Sequence, residues 1–239
     1  MTQLNLNNLR SPKTLRAWSV HLFTATGAVW GLMAIIAVIQ HQWQAAFFWM
    51  GAAVVVDSVD GTLARRFEVK GMLPDFDGAL LDNIIDYLTY VLVPALFVYE
   101  AGLVPDALAL FSAVVMVLTS AYQFCQADAK TEDNFFKGFP SYWNIIVFYL
   151  FLLQTGPWVN LAVILLCAIL IFVPTKYAYP SRMSRFQKLT LSLTVIWAVM
   201  MLVALWQHPA LSWLVWLSLI YVVYYVAISF YLSRLPVGG

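Results

Sequence analysis

The chain has 239 residues, of which 62% are hydrophobic and only 10% carry a formal charge. Soluble domains contain about 25% charged residues, so this composition excludes an ordinary globular protein and indicates an integral membrane protein. The formal net charge of +1 gives no reason to expect a nucleic-acid partner. The two cysteines, Cys125 and Cys167, lie in separate apolar segments and form no redox or metal-binding motif.

The order of polar and apolar residues predicts an all-α, polytopic membrane protein. Residues 1–16 are mostly polar with interspersed leucines, which favours an interfacial segment on the cytoplasmic side. Residues 17–239 are predicted to form a single transmembrane domain, because windows of about twenty residues mark eight apolar segments in it. They lie near 17–40, 43–66, 79–101, 104–126, 141–155, 157–174, 188–207 and 211–233. The fifth segment is short, so six or seven spans with a re-entrant piece is the alternative.

The basic residues predict the orientation of these segments. All 13 Lys and Arg residues lie in the N-terminal segment, in or at the borders of alternate connections, or after the last segment, and the four intervening connections contain none. Because Lys and Arg favour cytoplasmic loops, this segregation supports eight spans with both termini in the cytoplasm. It also places the connection between the second and third segments on the cytoplasmic side.

That connection and its flanks hold seven of the twelve acidic residues of the chain, between positions 57 and 86. Asp57 and Asp60 close the second segment, and Asp82 and Asp86 open the third. Spacings of three and four residues keep each pair on one helical face, and a short hairpin turns the two faces toward each other. Four converging carboxylates repel one another unless divalent cations bind them, and hard oxygen ligands suit Mg²⁺ or Mn²⁺.

Two further observations bear on this acidic cluster. Its simplest alternative explanation is a solvated helix end whose charge is balanced by the nearby Arg65, Arg66 and Lys70. No histidine is expected to take part, because His21, His41 and His208 lie in or beside different segments and none is predicted near the cluster.

The cluster follows the pattern D-x-x-D-G-x-x-A-R and then G-x-x-x-D-x-x-x-D, and in this it resembles the CDP-alcohol phosphotransferase superfamily. The resemblance implies an enzyme in which an alcohol hydroxyl attacks the β-phosphorus of a CDP-linked donor, with CMP as the leaving group and two divalent ions, Mn²⁺ or Mg²⁺, in the site. It implies that Asp86 is a metal ligand and the general base. The implied metal ligands are Asp57, Asp60, Asp82 and Asp86, and the implied CDP-binding residues are Asp57, Gly61, Ala64, Arg65 and Gly78.

Within that superfamily the chain is most similar to the bacterial phosphatidylcholine synthases. The similarity rests on a gap of twelve residues, RFEVKGMLPDFD, between the two halves of the motif and on the later run FFKGFPSYWN. It implies CDP-diacylglycerol and choline as substrates, a site that faces the cytoplasm from a bacterial inner membrane, contact with membrane lipid and a homodimer. Two acids of the gap, Asp75 and Asp77, are predicted to be loop and helix N-cap residues.

Choline as the acceptor would need aromatic side chains, because a quaternary ammonium group is best held against aromatic faces. Aromatic candidates predicted on the cytoplasmic side are Tyr87, Tyr122, Tyr142, Trp143 and Tyr177 with Tyr179. Asn144 is a candidate for orienting the choline hydroxyl or a neighbouring ring. Aromatic residues are also common at membrane interfaces, where they anchor helices without binding a ligand. The set therefore favours choline without excluding other acceptors.

Three cations outside the motif, Lys137, Arg182 and Arg185, are candidates for binding the phosphates of the donor. They could equally serve only to fix the topology. A phosphatidylserine or phosphatidylglycerophosphate type of synthase is the alternative function. A transporter is the alternative of a different class, and it is disfavoured because the acids cluster at one membrane face and no inverted repeat is visible.

Overall fold

A computed structural model describes residues 11–131, 133–183 and 185–234. The predicted interfacial segment over residues 1–16 therefore lies mostly outside the described residues. The chain divides into two compact units, residues 1–93 and 94–239. The single domain predicted over residues 17–239 stays a prediction.

The first unit contains two long helices followed by shorter ones. Its elements are α1 (Pro12–Ile39), α2 (Trp43–Arg66), α3 (Val69–Met72), α4 (Gly78–Asp86) and a π-helix (Tyr87–Leu92). Helix α1 begins where Ser11 accepts a hydrogen bond from the backbone N–H of Thr14 at 3.1 Å, with Pro12 at the first helical position. The short turn after α1 makes α2 its neighbour, and the rings of Trp30 and Trp49 stack between them at 5.5 Å.

Small residues let α1 approach the segment that contains the second half of the motif. A Cβ atom added to Gly27 would lie 2.6 Å from Ile85 Cγ2, and one added to Gly31 would lie 2.9 Å from Leu88 Cδ2. Both distances are shorter than a carbon–carbon contact, so a larger residue at either position would force the neighbouring side chain or helix to move. Helix α1 thus contacts both α2 and the α4 region, and it holds the two halves of the motif in one unit.

The twelve-residue gap of the motif folds into the short helix α3 and a turn. Val69 of α3 is only 3% exposed, and it belongs to the same buried cluster as Ala17 and Val20 of α1. The gap ends at Asp77, whose carboxylate accepts the backbone N–H of Leu80 at 3.0 Å and so caps α4. The predicted N-cap is confirmed, and Asp75 lies exposed in the turn before it, as predicted.

The second unit is helical apart from one short strand pair. Its elements are α5 (Val93–Glu100), which begins at the unit boundary, α6 (Asp106–Cys125), β1 (Phe135–Lys137), α7 (Trp143–Leu153), α8 (Pro157–Phe172), β2 (Lys176–Ala178), α9 (Gln187–Trp206) and α10 (Ser212–Ser233). The antiparallel strands align Phe136 with Tyr177. They are absent from the sequence prediction, which assigned an all-α chain.

This two-stranded ribbon is fixed on both sides by specific contacts. The backbone N–H of Ala178 donates to Ser229 of α10 at 3.0 Å, and the hydroxyl of Tyr225 donates to the carbonyl of Ala178 at 2.9 Å. Gly138, which follows β1, has a φ of +77°, and a Cβ atom there would lie 2.3 Å from the carbonyl oxygen of Ile171. Glycine is therefore required in the Lys-Gly-Phe-Pro turn.

Each of the eight predicted apolar segments contains helix, but the helices differ in length. Six are long and apolar enough to cross a membrane, namely Pro12–Ile39, Trp43–Arg66, Gly78–Glu100, Asp106–Cys125, Gln187–Trp206 and Ser212–Ser233. The other two, α7 and α8, are apolar but have 11 and 16 residues. At 1.5 Å per residue α7 is about 16 Å long, well short of the hydrocarbon thickness. The described residues therefore form a multi-pass helical membrane protein with six full-length candidate spans.

Candidate active site

Three carboxylates of the motif lie together in the first unit. Asp57 comes from α2, and Asp82 and Asp86 come from successive turns of α4. One oxygen of each lies within 4.8 Å of the others, and all three side chains are half-buried. The helical spacing predicts that the carboxylates of the two segments converge, and this convergence is confirmed for Asp57, Asp82 and Asp86. Neighbouring carboxylates at this distance favour protonation or the binding of a cation.

The carboxylate geometry suits a small hard cation. Mg²⁺ binds oxygen at about 2.1 Å in octahedral geometry, so two of its oxygen ligands are about 3.0 Å apart when adjacent and about 4.2 Å apart when opposite. Oxygens that all lie within 4.8 Å of one another need only small side-chain movements to reach such spacings. A divalent ion of the kind that the sequence resemblance implies therefore fits Asp57, Asp82 and Asp86.

Asp60, the fourth predicted ligand, lies one turn beyond Asp57 on α2. It is not part of the group of three, and it is only 5% exposed. A carboxylate that is so deeply buried is costly without a partner, and Asp60 does have interactions in this structure. Its role as a metal ligand stays a prediction.

A tyrosine that the sequence reasoning missed contacts the carboxylate group directly. The hydroxyl of Tyr90, on the π-helix, donates a hydrogen bond to Asp57 Oδ2 at 2.6 Å. The sequence contains an indication of this contact, because position 90 continues the spacing of four residues that separates Asp82 from Asp86. The prediction of a metal site uses that spacing for acidic residues only and so does not include a tyrosine.

The end of α2 forms the wall of an open cavity of about 250 Å³. It is lined by Ala64, Arg65, Glu68, Val69, Lys70 and Gly71. Arg65 is exposed, and its guanidinium donates to Thr62 Oγ1 at 3.1 Å. Gly61, one turn before Arg65, has room beside it, since a Cβ atom would meet only the guanidinium nitrogen of that residue at 3.4 Å. Two predicted CDP-binding residues, Ala64 and Arg65, thus line one depression that also exposes the cation of Lys70.

Gly78, which is predicted to bind CDP, packs against the side chain of His21. A Cβ atom there would lie 2.5 Å from Cε1 of His21, whose ring packs against Phe76 at 4.4 Å. The expectation that no histidine lies near the motif is therefore wrong for His21. The sequence could not show this, because the contact joins α1 to a motif residue 57 positions later. Close packing of α1 on α4 is one reason for glycine at this position, and its CDP-binding role stays a prediction.

Lys137, one of the predicted phosphate-binding cations, and Lys176, which lies opposite it in the ribbon, both form ion pairs. Lys137 forms an ion pair with Asp128 at 2.5 Å, and Lys176 forms one with Asp133 at 2.5 Å. The hydrogen bond to Asp128 raises the pKa of the Lys137 ammonium, and the same bond lowers the pKa of the Asp128 carboxyl. The role of Lys137 in binding the donor phosphates stays a prediction.

The two predicted arginines lie just after β2 and are both exposed. The guanidinium of Arg182 lies 5.3 Å from the ring centroid of Tyr179, which is a cation–π contact. Among the described residues, Arg185 makes no hydrogen bond, ion pair or ring contact. Their role in binding phosphate stays a prediction.

The predicted choline-binding residues fall into two kinds. Trp143 is fully buried, with its N–H donating to Ser120 at 2.6 Å, and Asn144 is buried with its side-chain oxygen accepting the N–H of Ile145 at 2.8 Å. These contacts give both residues a packing role. Tyr122 is 46% exposed and stands against Phe172 at 4.9 Å.

The remaining aromatic candidates lie on or beside the ribbon and the motif. The ring of Phe136 on β1 lies 6.0 Å from Tyr142 and 4.8 Å from Tyr179, so three aromatic rings adjoin there. Tyr177 pairs with Phe136 across the ribbon. Tyr87 begins the π-helix directly after Asp86 and is half-buried. Phe136 lies in the run FFKGFPSYWN, and the sequence pattern alone does not single it out as a contact of Tyr142 and Tyr179.

Comparison with known proteins agrees with this geometry. The family described as CDP-alcohol phosphatidyltransferase matches residues 20–175, which include the whole motif and the carboxylate group. Curated relatives include the phosphatidylcholine synthase of Mesorhizobium japonicum, 44% identical over 80% of this chain and 72% of the relative. The enzyme of that name from Pseudomonas aeruginosa is 42% identical over 82% of each chain. The one from Legionella pneumophila is 42% identical over 97% of this chain and 95% of its own. Motif, carboxylate geometry and similarity over most of its length lead to one conclusion: this chain belongs to the CDP-alcohol phosphatidyltransferase family.

Proposed function

We propose that this protein is a phosphatidylcholine synthase, which transfers the phosphatidyl group of CDP-diacylglycerol to choline and releases CMP. The observation that carries the proposal is the group of Asp57, Asp82 and Asp86 in a chain whose relatives, at 33–44% identity, are named phosphatidylcholine synthase. No serine, cysteine or histidine nucleophile is needed, because the acceptor hydroxyl attacks phosphorus directly.

In the reaction, the choline oxygen forms a bond to the β-phosphorus, and the bond from that phosphorus to the bridging oxygen of CMP breaks. Asp86 takes the proton of the choline hydroxyl as the general base. The side chains of Asp57, Asp60, Asp82 and Asp86 would hold two ions, Mn²⁺ or Mg²⁺. Such ions, when bound, neutralise charge on the pyrophosphate and on the departing phosphate. The CDP moiety is positioned for in-line attack by choline. The residues that hold it are Asp57, Gly61, Ala64, Arg65 and Gly78.

Several residues of the second unit are also proposed to bind the substrates. Lys137, Arg182 and Arg185 attract the phosphates of the donor, since cations at a membrane surface favour anionic headgroups. Tyr87, Tyr122, Tyr142 and Tyr177, with Trp143 and Asn144, are the proposed surroundings of choline. Exposed Tyr122, Tyr142 beside the ribbon and Tyr177 on it are the stronger members, because Trp143 is fully buried.

The proposed setting is the inner membrane of a bacterium. The segregation of all 13 basic residues supports eight crossings, two of them by the shorter helices α7 and α8, and both termini in the cytoplasm. The site then faces the cytoplasm, where choline is taken up and CMP released, while the donor enters from the lipid. The transmembrane part, residues 17–239, acts as one domain in this proposal, and a homodimer is what the family implies.

The test is CMP release and lipid product formation by purified protein in micelles with CDP-diacylglycerol and Mn²⁺. Choline, serine, ethanolamine, inositol and glycerol 3-phosphate are compared as acceptors. We expect phosphatidylcholine from choline alone, with activity lost on chelation and restored by added Mn²⁺. Product from serine or glycerol 3-phosphate would retain the aspartate chemistry and overturn the acceptor. No CMP with any acceptor, in protein that binds Mn²⁺, would contradict the proposed enzyme.

A further inference from the structure

The hydrogen bond between Tyr90 and Asp57 points to a function for a residue outside the motif. We propose that Tyr90 is a positioning residue, which orients the Asp57 carboxylate for metal binding. The inference rests on the metal site of the proposed function, but it does not depend on which alcohol is the acceptor.

The hydrogen bond runs from the Tyr90 hydroxyl to the Asp57 carboxylate and connects two helical segments. A carboxylate can only accept, so the tyrosine hydroxyl is the donor. The bond is short, at 2.6 Å, and it joins residues 33 positions apart in the chain. It therefore links α2, which contains the first half of the motif, to the helical segment that contains the second half.

The π-helix explains how Tyr90 reaches this position. In an α-helix of 3.6 residues per turn, each step of four residues advances by about 40° around the axis, so a third residue at this spacing drifts away from the first. Asp82, Asp86 and Tyr90 form such a series, but residues Tyr87–Leu92 adopt the wider π turn. A π turn contains more residues than an α turn, so each residue advances by a smaller angle around the axis. The step from Asp86 to Tyr90 therefore keeps Tyr90 closer to the face of Asp82 and Asp86. Single π turns within α-helices are frequent at functional sites.

The hydrogen bond from Tyr90 restricts the rotation of the Asp57 carboxylate. The terminal torsion of an aspartate is broad, so an untethered carboxylate rotates among many orientations. Asp57 Oδ2 accepts the tyrosine hydroxyl and still has lone pairs for a cation, as does Oδ1. One oxygen of Asp57 lies in a group with oxygens of Asp82 and Asp86. Partners that hydrogen-bond to a metal-ligating carboxylate fix its orientation, and their loss typically weakens metal affinity by about 10- to 100-fold.

The experiment measures Mn²⁺ binding by electron paramagnetic resonance, with purified full-length protein in micelles and without substrate. We expect Tyr90→Phe to raise the Kd for Mn²⁺ by about 10-fold or more. The matched control is Tyr99→Phe, which removes the same hydroxyl from a side chain that is 47% exposed and should leave the Kd unchanged. In the CMP assay, the Mn²⁺ concentration for half-maximal activity should rise in parallel, with much of kcat recovered at saturating Mn²⁺.

A second variant separates positioning from general support of the fold. If Tyr90 acts through Asp57, then Tyr90→Phe should add little to the effect of Asp57→Asn on Mn²⁺ binding, because the two effects are coupled. Thermal melting of Tyr90→Phe without metal should stay close to that of the wild type. A Kd for Mn²⁺ within about twofold of wild type would overturn the proposal, as would a large loss of stability with unchanged affinity.

The outcomes also distinguish this inference from the proposed function. Wild-type protein that binds Mn²⁺ and releases CMP with another acceptor, but makes no phosphatidylcholine, would contradict only the acceptor assignment. In that case a weaker Kd in Tyr90→Phe would still support the positioning role. Wild-type protein that fails to bind Mn²⁺ would overturn both.

Discussion

The two units of the chain use polar side chains in opposite ways. In the first unit, the carboxylates of Asp57, Asp82 and Asp86 lie within reach of one another, which is unfavourable unless a ligand is bound. In the second unit, polar groups of neighbouring helices satisfy one another, as Thr190 does with Tyr224 at 2.8 Å. The hydroxyl of Tyr149 meets both Ser218 and Trp197 at 2.8 Å. Polar residues in a membrane protein thus mark either chemistry or helix association, and the pairing pattern distinguishes the two.

The largest effect expected from this comparison is the loss of activity in Asp86→Asn. The variant removes a proposed base and a metal ligand but keeps nearly the same volume, so turnover should fall by about 1,000-fold or more. CDP-diacylglycerol binding, measured by ligand protection against thermal unfolding, should be largely retained. The matched control is Asp75→Asn, an exposed turn residue of the same unit, which should be fully active. Turnover above about a tenth of wild type would remove Asp86 from the role of base.

Gly78→Ala should have the next largest effect, and it acts through packing. The added methyl group would lie 2.5 Å from Cε1 of His21, so α1 and α4 must separate or the ring must move. Overpacking of this kind costs about 1–3 kcal/mol, which thermal melting in micelles would detect. Gly51→Ala is the matched control, because nothing lies within 4 Å of its added Cβ atom.

A double variant tells packing at Gly78 apart from a role in binding CDP. Replacing the ring in Gly78→Ala, His21→Ala removes the atom that clashes, so stability should recover relative to Gly78→Ala alone. If stability recovers and KM for CDP-diacylglycerol is still raised, glycine is also needed to make room for the donor. If melting of Gly78→Ala is unchanged from wild type, the packing explanation is wrong.

A polar contact of the second unit should affect stability and leave chemistry alone. Tyr149→Phe removes a buried hydroxyl that bonds to Ser218 and Trp197, and interhelical bonds of this kind contribute about 0.6 kcal/mol each in a membrane protein. A small fall in melting temperature with an unchanged kcat is expected. Tyr231→Phe, at a side chain that is 52% exposed, should change neither quantity. A large fall in kcat at wild-type stability would contradict the division between the units.

Much of the fold and the core of the site could be predicted from the sequence, because the signals are local. Hydropathy places the segments, and helical spacing brings Asp82 and Asp86 onto one face. Contacts between distant segments could not be predicted in this way. The His21 contact with Gly78 and the bond from Tyr90 to Asp57 depend on how helices pack. The strands β1 and β2 have three residues each, too few for a periodic signal.

The smallest predicted effect concerns the ion pair between Asp133 and Lys176, which joins the ribbon to the preceding loop. The hydrogen bond from Lys176 lowers the pKa of the Asp133 carboxyl below its ordinary value of 3.8. A lowered pKa in the folded state means that the stabilisation is complete above about pH 4 and is lost as the pH falls through the folded value.

Asp133→Asn tests this pH dependence. Since pairs near the surface contribute about 1 kcal/mol at most, the variant should melt only slightly below wild type at pH 7. The difference in melting temperature should narrow as the pH falls below about 4, because the wild-type carboxyl takes up its proton as the pH passes through its lowered pKa. Asp75→Asn, at an exposed turn residue, is the control and should melt like wild type at pH 7. A difference that stays unchanged down to the lowest pH at which the protein remains folded would show that Asp133 stabilises the ribbon through its neutral hydrogen bonds, such as the one its carboxyl makes to Thr131, and not through its charge.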